Sequence, residues 1–374
     1  MINNYILNHT IIMKIKYLKN LVLFIPLIIL NIISLLNMVN SRLISDIYKN
    51  AFYKQLIWFI IGYLIIIIVK KFKFKKIFYY AKYLYIFSNI LLLLVLFFGS
   101  NVNGAKCWFN IFGISFQPSE LTKLSMSLYM SYIISNTKHH NFREELFLII
   151  KLFIIFLIPS ILVFLEPDTG AIISFFIIFI VCLCSSKLNK WWYLSFILFL
   201  VIIISSFILL YIFKQDFLIN LIGTSLFYRM DRIFNFINNN SYQLENALIT
   251  IGSTSIFKFN LNSIILYIPE APTDFIFAFS CGNYGIFSGL LIIGSYLLID
   301  IYLISKSYKL KDYYQIFINT YLGIFLFNQI YNIFMNVGLL PIMGIPLPFL
   351  SYGGTNTLIN YLYLSIILAK EKTT

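Results

Sequence analysis

Residues 191–213, WWYLSFILFLVIIISSFILLYIF, run for 23 positions without a charged side chain. A helix needs about 20 apolar residues to cross a hydrocarbon core about 30 Å thick, so this one stretch is long enough to span a membrane. Inside lipid every backbone N–H and C=O must be paired within the protein, which leaves helices and closed barrels. The run lacks the in–out alternation of a barrel strand and is therefore a helix. Its opening Trp191-Trp192 has the character of an interfacial belt.

Nine further runs extend the pattern, so that ten spans are predicted at 21–39, 55–69, 80–98, 118–135, 146–165, 169–186, 191–213, 274–303, 314–336 and 354–369. The chain reads as an all-α polytopic membrane protein, one integral membrane domain over residues 1–374. The composition agrees: 60% of residues are hydrophobic and 11% charged, against about 25% charged in soluble domains. The abundance of Ile, Asn, Lys, Phe and Tyr reflects an AT-rich genome. Cys107, Cys182, Cys184 and Cys281 form no CxxC pair and lie far from His9, His139 and His140, so neither a zinc site nor a disulfide framework is indicated. The net charge of +14 is divided among short loops rather than gathered with exposed aromatics, which argues for membrane orientation and against nucleic acid.

Those charges alternate. With the N-terminus cytoplasmic, the inner segments hold Lys14, Lys16 and Lys19, then Lys70, Lys71, Lys73, Lys75 and Lys76, then Lys138 and Arg143, Lys187 and Lys190, Lys306, Lys309 and Lys311, and finally Lys370 and Lys372. The outer segments hold fewer: Arg42, Lys49, Lys54, Lys106, Lys214, Arg229, Arg232 and Lys258. Both termini are thus expected inside, and the first helix is expected to be retained rather than cleaved. One outer loop, 214–273, is too long for a connector. Two more outer segments, 99–117 and 337–354, are rich in Gly and Pro and read as irregular backbone. The outer face therefore carries a built site.

Its candidate residues have competing structural duties. Glu120 and Lys123 are three apart on one helix face and can pair, while Glu120 also suits the first turn of a helix that Pro118 opens. Lys123 lies a turn deeper, where an ionisable group is costly. In Glu166-Pro167-Asp168-Thr169-Gly170 a cap explains the acid before the sixth span. Arg229 and Arg232 in LFYRMDRIFNFI suit an interfacial helix whose guanidiniums face phosphate, either a substrate's or a lipid headgroup's. In YIPEAPTDFIF, at 267–277, Asp274 is placed to cap the eighth span or to serve as a base, and Glu270 to be a solvated loop charge.

Five segments in order, NGAKCWFNIFGISFQPSELTK (103–123), EPDTG (166–170), YRMDRIFNF (228–236), IPEAPTDFIFAF (268–279) and GLLPIMGIPLPFLSYGG (338–354), together resemble the RodA, FtsW and SpoVE family of membrane glycosyltransferases. The resemblance covers nearly the whole chain. It implies ten helices with cytoplasmic termini, residence in the bacterial cytoplasmic membrane, and polymerisation of lipid II into β-1,4-linked glycan with release of undecaprenyl diphosphate. It also implies a class B penicillin-binding protein, a transpeptidase, as partner. By the same resemblance Asp274 is the essential aspartate and general base. Lys123, Arg229 and Arg232 face the diphosphate, Glu120 holds Lys123, and Glu270 contacts substrate or supports the site. No cofactor is required, and a divalent cation is compatible with the acids. Cys107 stands where the family usually has Arg, Gly282-Asn283 where it has an acidic pair, and Pro272 where it often has His. The 338–354 segment leans to the RodA-like branch, and YRMDR and PEA also suit the FtsW branch. Two other readings are a lipid-linked precursor flippase, which would need a path to the inner face, and a low-activity scaffold for a transpeptidase.

Overall fold

The computed structural model describes residues 2–71, 75–102, 105–111, 114–137, 141–215, 217, 242–258 and 268–369. Among them are twelve α-helices: α1 (Ile2–Ser41), α2 (Ala51–Val69), α3 (Lys75–Phe98), α4 (Pro118–Asn136), α5 (Phe142–Leu165), α6 (Thr169–Ser185), α7 (Lys190–Phe213), α8 (Tyr242–Gly252), α9 (Ile276–Tyr284), α10 (Ile286–Lys309), α11 (Asp312–Asn336) and α12 (Gly354–Ala369). The ten predicted spans are all present as helix, most within a turn of the expected ends.

Position in the bundle explains which helices look apolar. Six described segments, 21–41, 46–69, 76–98, 142–165, 190–213 and 286–309, are long and apolar enough to cross a membrane, and α6 is a shorter apolar helix. Helices α4 and α11 are less apolar because their surroundings are largely protein, and α12, also buried, is only 16 residues long. Around the central α4 stand α3, α5, α6, α11 and α12. Its serines pair laterally, Ser125 Oγ with Ser88 Oγ at 2.7 Å and Ser127 Oγ with Tyr363 Oη at 2.9 Å. Such bonds and close small-residue packing hold helices together where burial from water cannot. Helix α7 is the opposite case, with none of its apolar window buried. It lies at the periphery, with Trp192, Tyr193 and Phe196 packed against the bundle and most of its other described side chains exposed.

Two expectations change. The eighth span, predicted as one helix over 274–303, is two, α9 and α10, broken at Gly285. Gly285 has φ +84°, and a Cβ there would stand 2.5 Å from the Ile256 carbonyl oxygen. Backbone 255–256 comes so close because it caps the new helix: Ile286 N–H donates to Ser255 O and Phe287 N–H to Ile256 O, each at 3.1 Å. Thr254 Oγ1 donates to Cys281 O at 3.0 Å and closes the end of α9. The second change is in 99–117, read as irregular. There β1 (Ser100–Val102), β2 (Ala105–Ile111) and β3 (Ile114–Phe116) form an antiparallel sheet in the order β1-β2-β3. Backbone that leaves a helix near lipid depth pairs with itself instead, and Cys107 on β2 is buried. The chain remains all-α with this one small sheet.

Candidate active site

Five connections gather at one end of the bundle, namely the 42–50 turn, the sheet, the α5–α6 corner, the segment before α9 and the segment before α12. Hydrogen bonds stitch them together. Gln117 N–H donates to Thr355 Oγ1 at 3.2 Å, and Thr355 Oγ1 donates to Ser115 O at 3.1 Å. The Gln117 amide reaches Asp168 Oδ2 at 2.8 Å. Ser351 Oγ donates to Thr273 O at 2.6 Å and Tyr352 N–H to Pro272 O at 2.8 Å. The sequence motifs, far apart in the chain, thus share one locality.

Within it each acid has a distinct duty. Asp168 is the cap of α6, accepting from Ala171 N–H at 3.1 Å with one oxygen and from Gln117 with the other. Glu120 takes Lys123 Nζ at 2.7 Å, and both residues are buried on the first turns of α4. The pairing expected from their spacing is therefore present. Glu270 accepts from Tyr48 Oη at 3.1 Å and from Thr273 Oγ1 at 3.0 Å. Its backbone is left-handed at φ +55°, and its carbonyl accepts from the N–H groups of Thr273, Asp274 and Phe275. The solvated loop charge anticipated for Glu270 is instead a half-buried, hydrogen-bonded carboxylate, since that tight turn folds it back toward Tyr48.

Asp274 does not cap the eighth span. Its turn runs on to Phe275, the residue that precedes α9, and that helix start has no side-chain cap. Among the described residues no group donates a hydrogen bond to the Asp274 carboxylate. Its backbone, by contrast, is held firmly, because the Asn332 and Asn336 amides of α11 donate to its carbonyl at 2.8 and 3.0 Å. Burial, and then the neighbouring negative charge of Glu270, lift its pKa to about 7. Beside it lies Gly344, where a Cβ would stand 3.7 Å from Asp274 Oδ2.

Glu166, at the C-terminal end of α5, is fully buried with neither carboxylate oxygen hydrogen-bonded. Burial, and then the charge of Asp168, raise its pKa to about 8, so it is mostly neutral at pH 7. Cys107 faces the same two acids, and burial, followed by their charges, pushes its thiol up to about 12. Where the resemblance leads one to expect a guanidinium, these acids meet a neutral thiol. Gly282 and Asn283, at the site of the expected acidic pair, are buried in α9, with Asn283 Nδ2 reaching Asn37 Oδ1 of α1 at 3.4 Å. Arg229 and Arg232 lie outside the described residues. Asn332 and Asn336 had no sequence signal of their own, whereas Gly344 and Ser351 lie in the 338–354 segment that the resemblance had marked without singling them out. The asparagines sit four apart on α11, a spacing that marks a polar stripe once that helix is known to be interior.

This arrangement defines a class, a many-helix membrane protein whose connecting segments bring several acids together at one end of the bundle. The model of the cell cycle protein family of FtsW, RodA and SpoVE matches residues 14–374, and the chain belongs to that family. It is 30% identical over 370 residues to a probable peptidoglycan glycosyltransferase FtsW of Wigglesworthia glossinidia brevipalpis, covering 94% of this chain and 92% of that protein. To the protein of the same name from Coxiella burnetii it is 32% identical over 305 residues, covering 77% of each. The fold is similar to a chain from a peptidoglycan synthase complex that coordinates polymerization and crosslinking, with TM-score 0.74 at 21% identity over 94% of this chain and 97% of that one. It is also similar to the rod shape determining protein RodA of Thermus thermophilus, with TM-score 0.65 at 21% identity over 93% and 95%.

Proposed function

We propose that the chain is a peptidoglycan glycosyltransferase that polymerises lipid II into β-1,4-linked glycan on the outer face of the bacterial cytoplasmic membrane, in cell elongation or division. Family membership and the names of the relatives support the activity. The observation that carries the assignment of roles is the Asp274 carboxylate: among the described acids at this end, it is half-buried and receives no hydrogen bond, whereas Glu270 is held by Tyr48 and Thr273, Asp168 caps α6, Glu120 is paired with Lys123 and Glu166 is fully buried. A base must be deprotonated yet basic, and a pKa near the working pH meets both demands. Asp274 takes the proton of the acceptor hydroxyl as that oxygen bonds to the donor's anomeric carbon, and the bond to undecaprenyl diphosphate breaks. Lys123, steadied by Glu120, and Arg229 and Arg232 from the large loop are the cations for the leaving diphosphate. Glu270 holds the turn and raises the basicity of Asp274.

Among the described residues no three His, Cys, Asp or Glu side chains are placed to hold a metal ion. A divalent cation that accompanies the diphosphate is compatible with this site. The lysine-rich ends of the bundle lie opposite the site, which supports cytoplasmic termini and an outward-facing site. A class B penicillin-binding protein is the proposed partner, consistent with the synthase complex that shares the fold. The flippase reading gains less support, since the motifs gather at one end. The test supplies purified protein and its transpeptidase with labelled lipid II. Glycan chains from the wild type and none from Asp274→Asn are expected, and polymer from Asp274→Asn at the wild-type rate would sink the assignment.

A further inference from the structure

The reason for glycine at position 344 is neither backbone nor packing. Its φ lies outside the left-handed region that favours glycine, and it is exposed. A Cβ built there meets a single described heavy atom within 4 Å, Asp274 Oδ2, at an ordinary contact distance of 3.7 Å. A methyl group would therefore be tolerated by the fold and would stand beside the carboxylate.

The wall that Gly344 forms is fixed on both sides. On one, its carbonyl abuts the start of α6, where a Cβ on Gly170 would meet it at 3.4 Å. On the other, the amide of Asn332 donates to Asp274 O and to Ile345 O, each at 2.8 Å, and so ties the acid's turn to the glycine's segment. Asn332 is fully buried, and Asn336 braces it by donating to its Oδ1 at 3.1 Å while accepting from Ala278 N–H at 3.0 Å. One side-chain amide thus sets the separation between the base and the surface beside it.

We propose that Gly344 is the open wall of a slot through which the acceptor hydroxyl reaches Asp274, and that Asn332 is the positioning residue that keeps wall and acid in register. This rests on Asp274 as the base. An attacking oxygen must come within about 2.6–3.2 Å of the carboxylate, and a methyl group at the Gly344 Cβ occupies part of that approach. The slot selects by size, admitting a sugar hydroxyl past a bare backbone.

The experiment is a size series at 344 in the full chain with its transpeptidase, measuring lipid II polymerisation and thermal melting together. Gly344→Ala is expected to slow polymerisation by about tenfold or more, as small displacements at a reacting centre do. Gly344→Leu should stop it, with both variants melting as the wild type does. Gly344→Ala should also move the acid limb of the pH–rate profile upward, because the methyl removes water from the carboxylate. Asn332→Ser, which can reach one carbonyl but not both, should lower the rate without weakening lipid II binding. Wild-type rates in Gly344→Leu, or rates that follow melting temperature across the series, would overturn the slot. An Asp274→Asn control separates the two ideas: activity there removes the base itself, whereas an inactive Asp274→Asn beside an active Gly344→Leu removes only the slot.

Discussion

Glu270 and Asp274 sit on one turn and act on each other through charge. Because a neighbouring negative charge disfavours ionisation, Glu270→Gln removes one of the two causes that raise Asp274 and lowers its pKa. The acid limb of the pH–rate profile, expected near pH 7 in the wild type, should then move to lower pH. A rate profile that stays in place would show that Glu270 does not tune the base. Glu166 tests the same physics through stability. Its pKa rises from an ordinary 4.5 to about 8, so the folded state holds a proton that the unfolded chain has released across that interval. Stability from this group is complete below pH 4.5 and is lost as pH climbs through about 8, an effect on the order of a few kcal/mol. Glu166→Gln should flatten the fall in melting temperature between pH 5.5 and 8.5. At this scale the sequence showed Asp274, through its motif, and the Glu120–Lys123 pair, through helical spacing. It hid Asn332 and Asn336, since an amide in a hydrophobic run has no visible partner until the Asp274 carbonyl is brought to it.

Helix α4 carries a buried ion pair at the end of a packed helix, where the cost of losing one partner is far larger than the net worth of the pair. Glu120→Gln leaves the Lys123 ammonium buried without its carboxylate and should destabilise by about 3–5 kcal/mol. Adding Lys123→Met removes the orphaned charge and should recover most of that stability. Activity should not return in the double variant, and if it did, Lys123 would be structural rather than a contact for the diphosphate. The α9–α10 break gives a second test at this scale. Gly285→Ala forces a Cβ to within 2.5 Å of the Ile256 carbonyl oxygen at a φ of +84°. The 255–256 cap must then detach from α10, and melting temperature should fall by several degrees. Hydropathy could not show this break, because α9 and α10 are both apolar and a single glycine in such a run is usually tolerated. The small sheet was hidden for a related reason: β1 and β3 are three residues each, too few to display alternation, and β2 between them lies in a Gly-containing connection that reads as irregular backbone.

At the scale of the whole molecule, the lysine bias and the gathered motifs make one joint claim about which end faces which compartment. Spans and their order were legible because lipid imposes a length and a composition on each helix. That 105–123, 166–170, 268–279 and 338–354 share a face follows from parity, since each begins after an odd number of crossings, but that they meet there was visible only in the hydrogen bonds between them. Orientation depends on charge, and cysteine labelling of intact cells can test it. Cys184 is exposed, whereas Cys107, Cys182 and Cys281 are buried, so Cys184→Ser leaves a quiet background. In that background Leu43→Cys, 52% exposed in the turn on the site's side, should react with a membrane-impermeant maleimide added outside. Tyr308→Cys, 83% exposed at the lysine-rich end, should react only after the membrane is opened. The reverse pattern would turn the bundle over and place Asp274 in the cytoplasm. A polymerase of outward-facing glycan could not then use it, and the flippase reading would have to be taken up again. The expected pattern would put the base, the glycine wall and the cap of α6 on the face where the growing glycan lies.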